Sequence, residues 1–270
     1  MRSVALALSL SLPLFGASLW PVDGETKEQA LARSDSTYGR LPVLRSFHPG
    51  LPQAWEKDPY ARAGRDMVVS FKEKPLEILS GKHDKFFSDW FAAAPKDRTT
   101  WWSYFHEPED NIERGEFTAA DYRAAFTHLD GLADKVGNPR LRTTLILMDW
   151  SLDPRSKRDW RDYYPGKDVV DVQAWDMYDF LENGKYLSME EYERRKPTRA
   201  VTAAEGNEYA IAEFGGAIPE GRPQWLADVA AWARANDAVF VTYFDSVVKG
   251  DWRLKDKPSQ DAWRAVVSGS

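Results

Sequence analysis

The chain has 270 residues, room for one large domain or two small ones, and a chain this long buries about three-quarters of its unfolded surface without covalent staples. It contains no cysteine, which excludes disulfides, a thiolate nucleophile and cysteine-ligated metal. A net charge of −6 with no basic stripe weighs against nucleic acid as a partner.

The chain begins with two competing readings. Met1-Arg2 and the apolar residues 3–14 have the charged start and apolar core of an export signal, with Gly16-Ala17-Ser18 as a cleavage site of small residues. Residues 13–20 also read as a first β-strand. The strand is preferred, with residues 1–12 an apolar extension or partial export signal and 13–270 a single domain. Secretion is left open. No later apolar run approaches the length of a membrane span.

A helix is predicted over residues 25–38, with Gly39 as its stop. Short strands follow over 43–47 and 67–72, and a helical or broken helical stretch over 76–94. The connection 46–67 holds three prolines and little helical pattern. Residues 99–106 form a fourth strand that ends at His106-Glu107-Pro108, because proline lacks an N–H for the ladder and restricts the residue before it. Thr118 opens a helix in a capping-box pattern that runs to about Val136. Strands are predicted over 141–150 and 169–178, a capped helix from Ser188, and a strand over 209–213. An Ala- and Trp-rich helix at 223–236, a strand over 238–245 and a last helix at 258–268 complete the chain.

Eight strands alternating with helices imply a parallel sheet, and in this length a closed (β/α)8 barrel of the TIM type. An open doubly wound sheet is the alternative, but no Gly-rich phosphate turn follows the first strand. In such a barrel the site forms at the C-terminal strand ends. The residues placed there are Trp20, Arg45, His48, Lys72, His106, Glu107, Glu109, Asp149, Trp150, Trp175, Asp176, Tyr178, Asp179, Glu213, Tyr243 and Asp245.

Two of these, Glu107 and Glu213, end strands on opposite sides of the mouth. Hydrolysis of a glycosidic bond needs such a pair, one carboxyl protonated to donate to the leaving oxygen and one ionised. Arg45 is a candidate to sit beneath Glu213 and keep it charged, or to form an ordinary barrel ion pair. His106 holds a substrate hydroxyl, orients Glu107, or is structural. Glu109 is a rival acid, ranked below Glu107 because it lies beyond the proline. The chain has twelve Trp, eleven Tyr and thirteen Phe, whose flat rings suit stacking on sugars as well as core filling. Trp150 and Trp175 are the preferred stacking residues, with Trp20, Tyr243 and Asp176 as further substrate contacts. No HExxH or other metal spacing, G-x-S-x-G elbow or P-loop occurs.

These motifs resemble glycoside hydrolase family 26, a group of retaining (β/α)8 glycosidases. In that family a His-Glu pair ends the fourth strand and a Glu-x-Gly segment the seventh. His106-Glu107 and Glu213-Phe214-Gly215 match, as does the sixth-strand pattern from Asp171 to Tyr178. The resemblance implies that Glu107 is the acid/base, Glu213 the nucleophile, and Tyr178 a support for Glu213. It spans about residues 13–268. It departs where Pro108-Glu109-Asp110-Asn111 replaces the Trp-rich segment of family mannanases. The expectation is therefore a β-mannanase-like endo-acting glycosidase of β-linked polysaccharide, monomeric, with no cofactor, metal centre or nucleic-acid partner. A non-catalytic glycan-binding or structural barrel of a surface or virion assembly is the alternative.

Overall fold

The computed structural model describes residues 12–22, 24–178 and 180–269. The strands are β1 (Leu14–Leu19), β2 (Val43–His48), β3 (Asp66–Phe71), β4 (Thr100–Tyr104), β5 (Leu141–Met148), β6 (Val172–Met177), β7 (Leu181–Glu182), β8 (Lys185–Tyr186), β9 (Glu208–Phe214) and β10 (Phe240–Asp245). Strands β1 to β6, β9 and β10 close in that order into a parallel barrel, and β7 and β8 form a separate two-stranded hairpin. The first strand is a full barrel member, paired with both β2 and β10. The apolar extension expected at the N-terminus lies, apart from the exposed Leu12, outside the described residues. No described helix is long and apolar enough to cross a membrane.

Helix boundaries follow their caps. α1 (Lys27–Tyr38) starts at a Thr26 capping box, α6 (Ala119–Val136) follows Thr118, and α7 (Met189–Arg195) follows a Ser188 capping box. α6 stops at Gly137, whose φ of 66° is the left-handed conformation that glycine tolerates. Between β2 and β3 only α2 (Pro59–Arg62) forms. The 76–94 stretch is two helices, α3 (Pro75–Leu79) and α4 (Asp84–Ala92). The fifth strand stops at Met148, two residues earlier than expected, and three 3-10 turns occupy 149–163. α5 (Glu109–Glu113) follows Pro108 directly, and α8 (Thr198–Glu205) precedes β9. α9 (Arg222–Ala235) and α10 (Lys257–Ser268) close the chain.

Strand parity divides the packing in two. Val43, Val68, Trp101, Ile146, Val172, Ala174, Ala210, Ala212 and Phe240 fill the barrel interior, where the Trp101 and Phe240 rings meet at 4.9 Å. Further along the inner faces stand Ser18, Arg45, Ser70, Ser103, Asp176 and Thr242, all buried and all polar. The interior is thus apolar below and polar toward the C-terminal rim. Residues of the opposite parity pack against the helices in the larger core. Gly16 allows β1 to approach β2, since a Cβ there would lie 1.9 Å from the Val43 carbonyl oxygen.

Candidate active site

Glu107 reaches the rim on an unusual backbone. β4 ends at Tyr104, and Phe105 and Glu107 then adopt φ of 47° and 51°, the left-handed region that side chains avoid. Such conformations cost about 1–3 kcal/mol each and persist only where the surroundings hold them. Here the Phe105 N–H donates to the Phe71 carbonyl at 2.7 Å and the Glu107 N–H to the Ile146 carbonyl at 3.0 Å. Glu109 anchors the next turn, accepting from the Met148 N–H at 2.8 Å and the Ser151 hydroxyl at 3.1 Å. It is fully buried, and burial pushes its carboxyl up to about 8. This rival to Glu107 is thus tied behind the rim by hydrogen bonds to the turn after β5.

Glu213 faces inward because β9 carries a bulge. The register slips between Ile211 and Glu213 against β6, and between Ile211 and Phe214 against β10. One extra residue re-aims everything after it. Ala212 faces in, and Glu213 after it does too, while simple alternation would have turned Glu213 toward the helices. The Ala212 carbonyl accepts from the Arg45 guanidinium at 3.3 Å and from the Thr242 hydroxyl.

Arg45, 0% exposed, is the charged floor. Its Nη1 donates to Glu213 Oε1 at 2.5 Å and to Asp176 Oδ1 at 3.4 Å. The Tyr178 hydroxyl donates to Glu213 Oε2 at 3.0 Å. Burial first, then the charge of Glu213, raises Tyr178 well above the ordinary phenol range, so it remains a donor. Each oxygen of Glu213 is thus met by its own donor.

Oxygen atoms of Glu107, Asp176 and Glu213 all lie within 4.8 Å of one another. Burial raises the Glu107 carboxyl above the usual range, and the charge of Glu213 adds to this, against Lys72, Arg45 and Lys249. Burial likewise pushes Asp176 well up. The cluster has the donor set of a cation site, but Arg45 already supplies its positive charge. A second close group, Glu73, Glu77 and His83, has the Lys82 ammonium 2.7 Å from Glu77. The raised Glu107 carboxyl thus faces a Glu213 whose two oxygens are both hydrogen-bonded.

The other expected site residues divide. His106 is beside Glu107, 8% exposed, and burial holds its imidazole well below the ordinary range, hence neutral. Its ring meets Phe47 at 5.6 Å, and Trp20, 36% exposed, stacks on Phe47 at 4.9 Å and 11°. Trp20 therefore offers an open ring face at the mouth. Trp175 does not. It has the outward parity of β6, is 0% exposed, and donates its indole N–H to Thr202 at 3.0 Å. Tyr243 is also corrected: it faces outward on β10, is 0% exposed, and donates to the Trp252 carbonyl at 2.6 Å. Trp150 sits in the 3-10 turn Asp149–Leu152, with the Arg155 guanidinium and Lys196 ammonium 5.1 and 5.9 Å from its ring. Asp149 pairs with Lys196, and Asp245 with Arg33. His48 faces Asp58, and its imidazole is lowered by burial to about 4. Asp179 lies outside the described residues. Sequence reasoning missed Phe47 and Trp252, whose ring lies 5.1 Å from Tyr178. The inward parity of Phe47 was the available signal; nothing in the sequence pointed to Trp252, which lies in a loop.

Neither a protein-family model nor a curated protein matches the sequence. Solved structures match over almost its whole length. The catalytic domain of a family 26 endo-β-1,4-mannanase from Bacillus sp. JAMB-750 is similar at a TM-score of 0.60 and 14% identity, over 95% of this chain and 86% of that one. A modular endo-β-1,4-mannanase from Cellulomonas fimi is similar at 0.64 and 14% identity, over 96% of this chain and 70% of that one. The β-mannanase of a symbiotic protist of the termite Reticulitermes speratus, solved with gluco-manno-oligosaccharide, gives 0.61 and 14% identity over 97% and 88%. The chain has the fold of the family 26 β-mannanases. At this identity the likeness is one of fold, and the chemistry rests on the residues described above.

Proposed function

We propose that the chain is a retaining glycoside hydrolase that cleaves β-linked polysaccharide, of the β-mannan type or a related glycan, by double displacement. The observation that carries this reading is the approach of Glu107 and Glu213 oxygens to within 4.8 Å above the Arg45 floor. Glu107 is the acid/base. Raised by burial and by its neighbour's charge, it enters the cycle protonated and gives its proton to the leaving oxygen. Glu213 attacks the anomeric carbon as that bond breaks, forming a glycosyl ester. Once esterified, Glu213 carries no charge, so Glu107 ionises more readily and takes a proton from the water that displaces the ester. Arg45 and Tyr178 hold the nucleophile and receive it again as a carboxylate. The mannanase-like structures favour a β-1,4-linked hexan as first substrate.

The test is to incubate the purified protein with a panel of β-linked polysaccharides, mannan first, and follow the products by proton NMR. The reading expects new reducing ends that appear first as the β-anomer. An α-anomer as first product would overturn the mechanism. Binding without new reducing ends would favour the non-catalytic barrel.

A further inference from the structure

The rim beside Glu107 carries two ammonium groups that form no close ion pair with a described carboxylate, although Glu107, Asp176 and Glu213 act on Lys72 from farther off. Lys72 follows β3 directly and is half-buried. Its ammonium lies 5.2 Å from the centre of the Phe105 ring, which fixes it at the mouth. Among the described residues no carboxylate forms an ion pair within 4.0 Å of it, nor of Lys249 in the loop after β10. Both ammonium groups act on Glu107 and on His106. Arg45, by contrast, is matched by Glu213 and Asp176. The same place holds a buried acceptor or donor without a partner: His106 Nδ1 makes no hydrogen bond, on a side chain more than nine-tenths buried.

Lys72 also opens a second volume. With Lys74, Leu76, Phe105 and Phe117 it lines a cavity of about 730 Å³, room for more than one sugar ring. Its walls join apolar rings to two ammonium groups and to the carboxylates of Glu77 and Glu116, which are already paired with Lys82 and Arg114. Apolar surface suits a sugar face, and a half-buried cation suits an anion. Neutral hexoses give such a cation nothing but hydroxyls.

We propose that the glycan taken at this site bears an anionic group, carboxylate in the first instance, on a sugar flanking the scissile bond, and that Lys72 is the residue that recognises it. This deepens the substrate class of the hydrolase reading and rests on it. Lys249 adds attraction at the rim and Lys72 makes the contact.

Binding separates the two ideas. The Glu213→Gln protein, which cannot turn over by the proposed route, is titrated calorimetrically with β-1,4-tetramannuronate, neutral β-1,4-mannotetraose, and a sulfated mannotetraose. The first two differ only at C6. At low salt the uronate is expected to bind about tenfold more tightly than the neutral sugar, the factor of one charge-assisted hydrogen bond. The preference should shrink as salt is raised. Lys72→Met in the same background should bring the ratio to within about threefold, and Lys72→Arg should keep it. The sulfated sugar tells a carboxylate-specific contact from attraction to any anion. Equal or weaker binding of both anionic sugars, no binding of them at all, or an unchanged ratio in Lys72→Met would overturn the inference. Failure of the hydrolase reading shows separately, as an absence of new reducing ends from the wild-type protein on every sugar.

Discussion

Removing one hydroxyl, in Tyr178→Phe, should slow the release of the sugar from Glu213 more than its capture. The ring would stay, held against Trp252 at 5.1 Å and Phe244 at 6.1 Å. The 3.0 Å bond to Glu213 Oε2 would go, leaving Arg45 on the other oxygen. A hydrogen bond to a charged group contributes about 1.5–3 kcal/mol. During capture Glu213 loses its charge, so this bond weakens toward the transition state. During release the carboxylate re-forms, and the bond strengthens. The full term therefore falls on release, a loss of about 10- to 150-fold. Steady-state and stopped-flow kinetics with an activated aryl β-glycoside measure both steps. The expectation is a kcat lowered by up to that factor, a kcat/KM little changed, and a burst of released aglycone, since ester breakdown has become limiting. Equal losses in kcat and kcat/KM without a burst would refute the reasoning, as would a change below about threefold. Thermal unfolding within a few degrees of wild type checks that the barrel is intact.

Three further outcomes follow from the same geometry. Glu107 must be protonated to act, and burial with the charge of Glu213 raises it, so kcat/KM on polysaccharide should persist above the ordinary carboxylate range and fall as pH climbs through the raised value; a decline already complete near pH 4–5 would contradict this. Glu107→Ala should cost about 10²- to 10⁴-fold on polysaccharide and far less on an aryl glycoside with a good leaving group, and equal losses on both would remove Glu107 as the acid. Trp175→Ala should lower stability by about 3–5 kcal/mol, read as a fall in Tm, while Trp20→Ala should raise KM about two- to tenfold with Tm unchanged; the reverse pattern would mean that core and cleft had been exchanged.

The barrel was legible because its signals repeat. Alternation, Gly and Pro punctuation, and the caps at Thr118 and Ser188 all agreed. The Glu107 rim was legible because Pro108 bars a strand from continuing past it, although β4 stops earlier, at Tyr104 before the left-handed Phe105. Trp175 and Tyr243 were misread because a strand end has two faces, and composition says nothing of which one a ring takes. Counting parity from Val172 and Phe240 would have sent both outward. Parity would also have misled at Glu213, where the bulge at Ala212 reverses it. That bulge has no sequence mark, its carbonyl being met by Arg45 from across the barrel and by Thr242 from the neighbouring β10. The 3-10 turns after Met148 and the hairpin at 181–186 were missed because short irregular segments have no period to detect.

The central claim is that Glu213 forms a covalent bond to the sugar while Glu107 stands opposite. A 2-deoxy-2-fluoro β-mannosyl fluoride slows the release of such an ester, and peptide mapping of the treated protein by mass spectrometry locates it. The account predicts one glycosyl group per chain, on the peptide containing Glu213, and none in Glu213→Ala. Turnover of natural substrate with no adduct, or an adduct on Glu107, would contradict it.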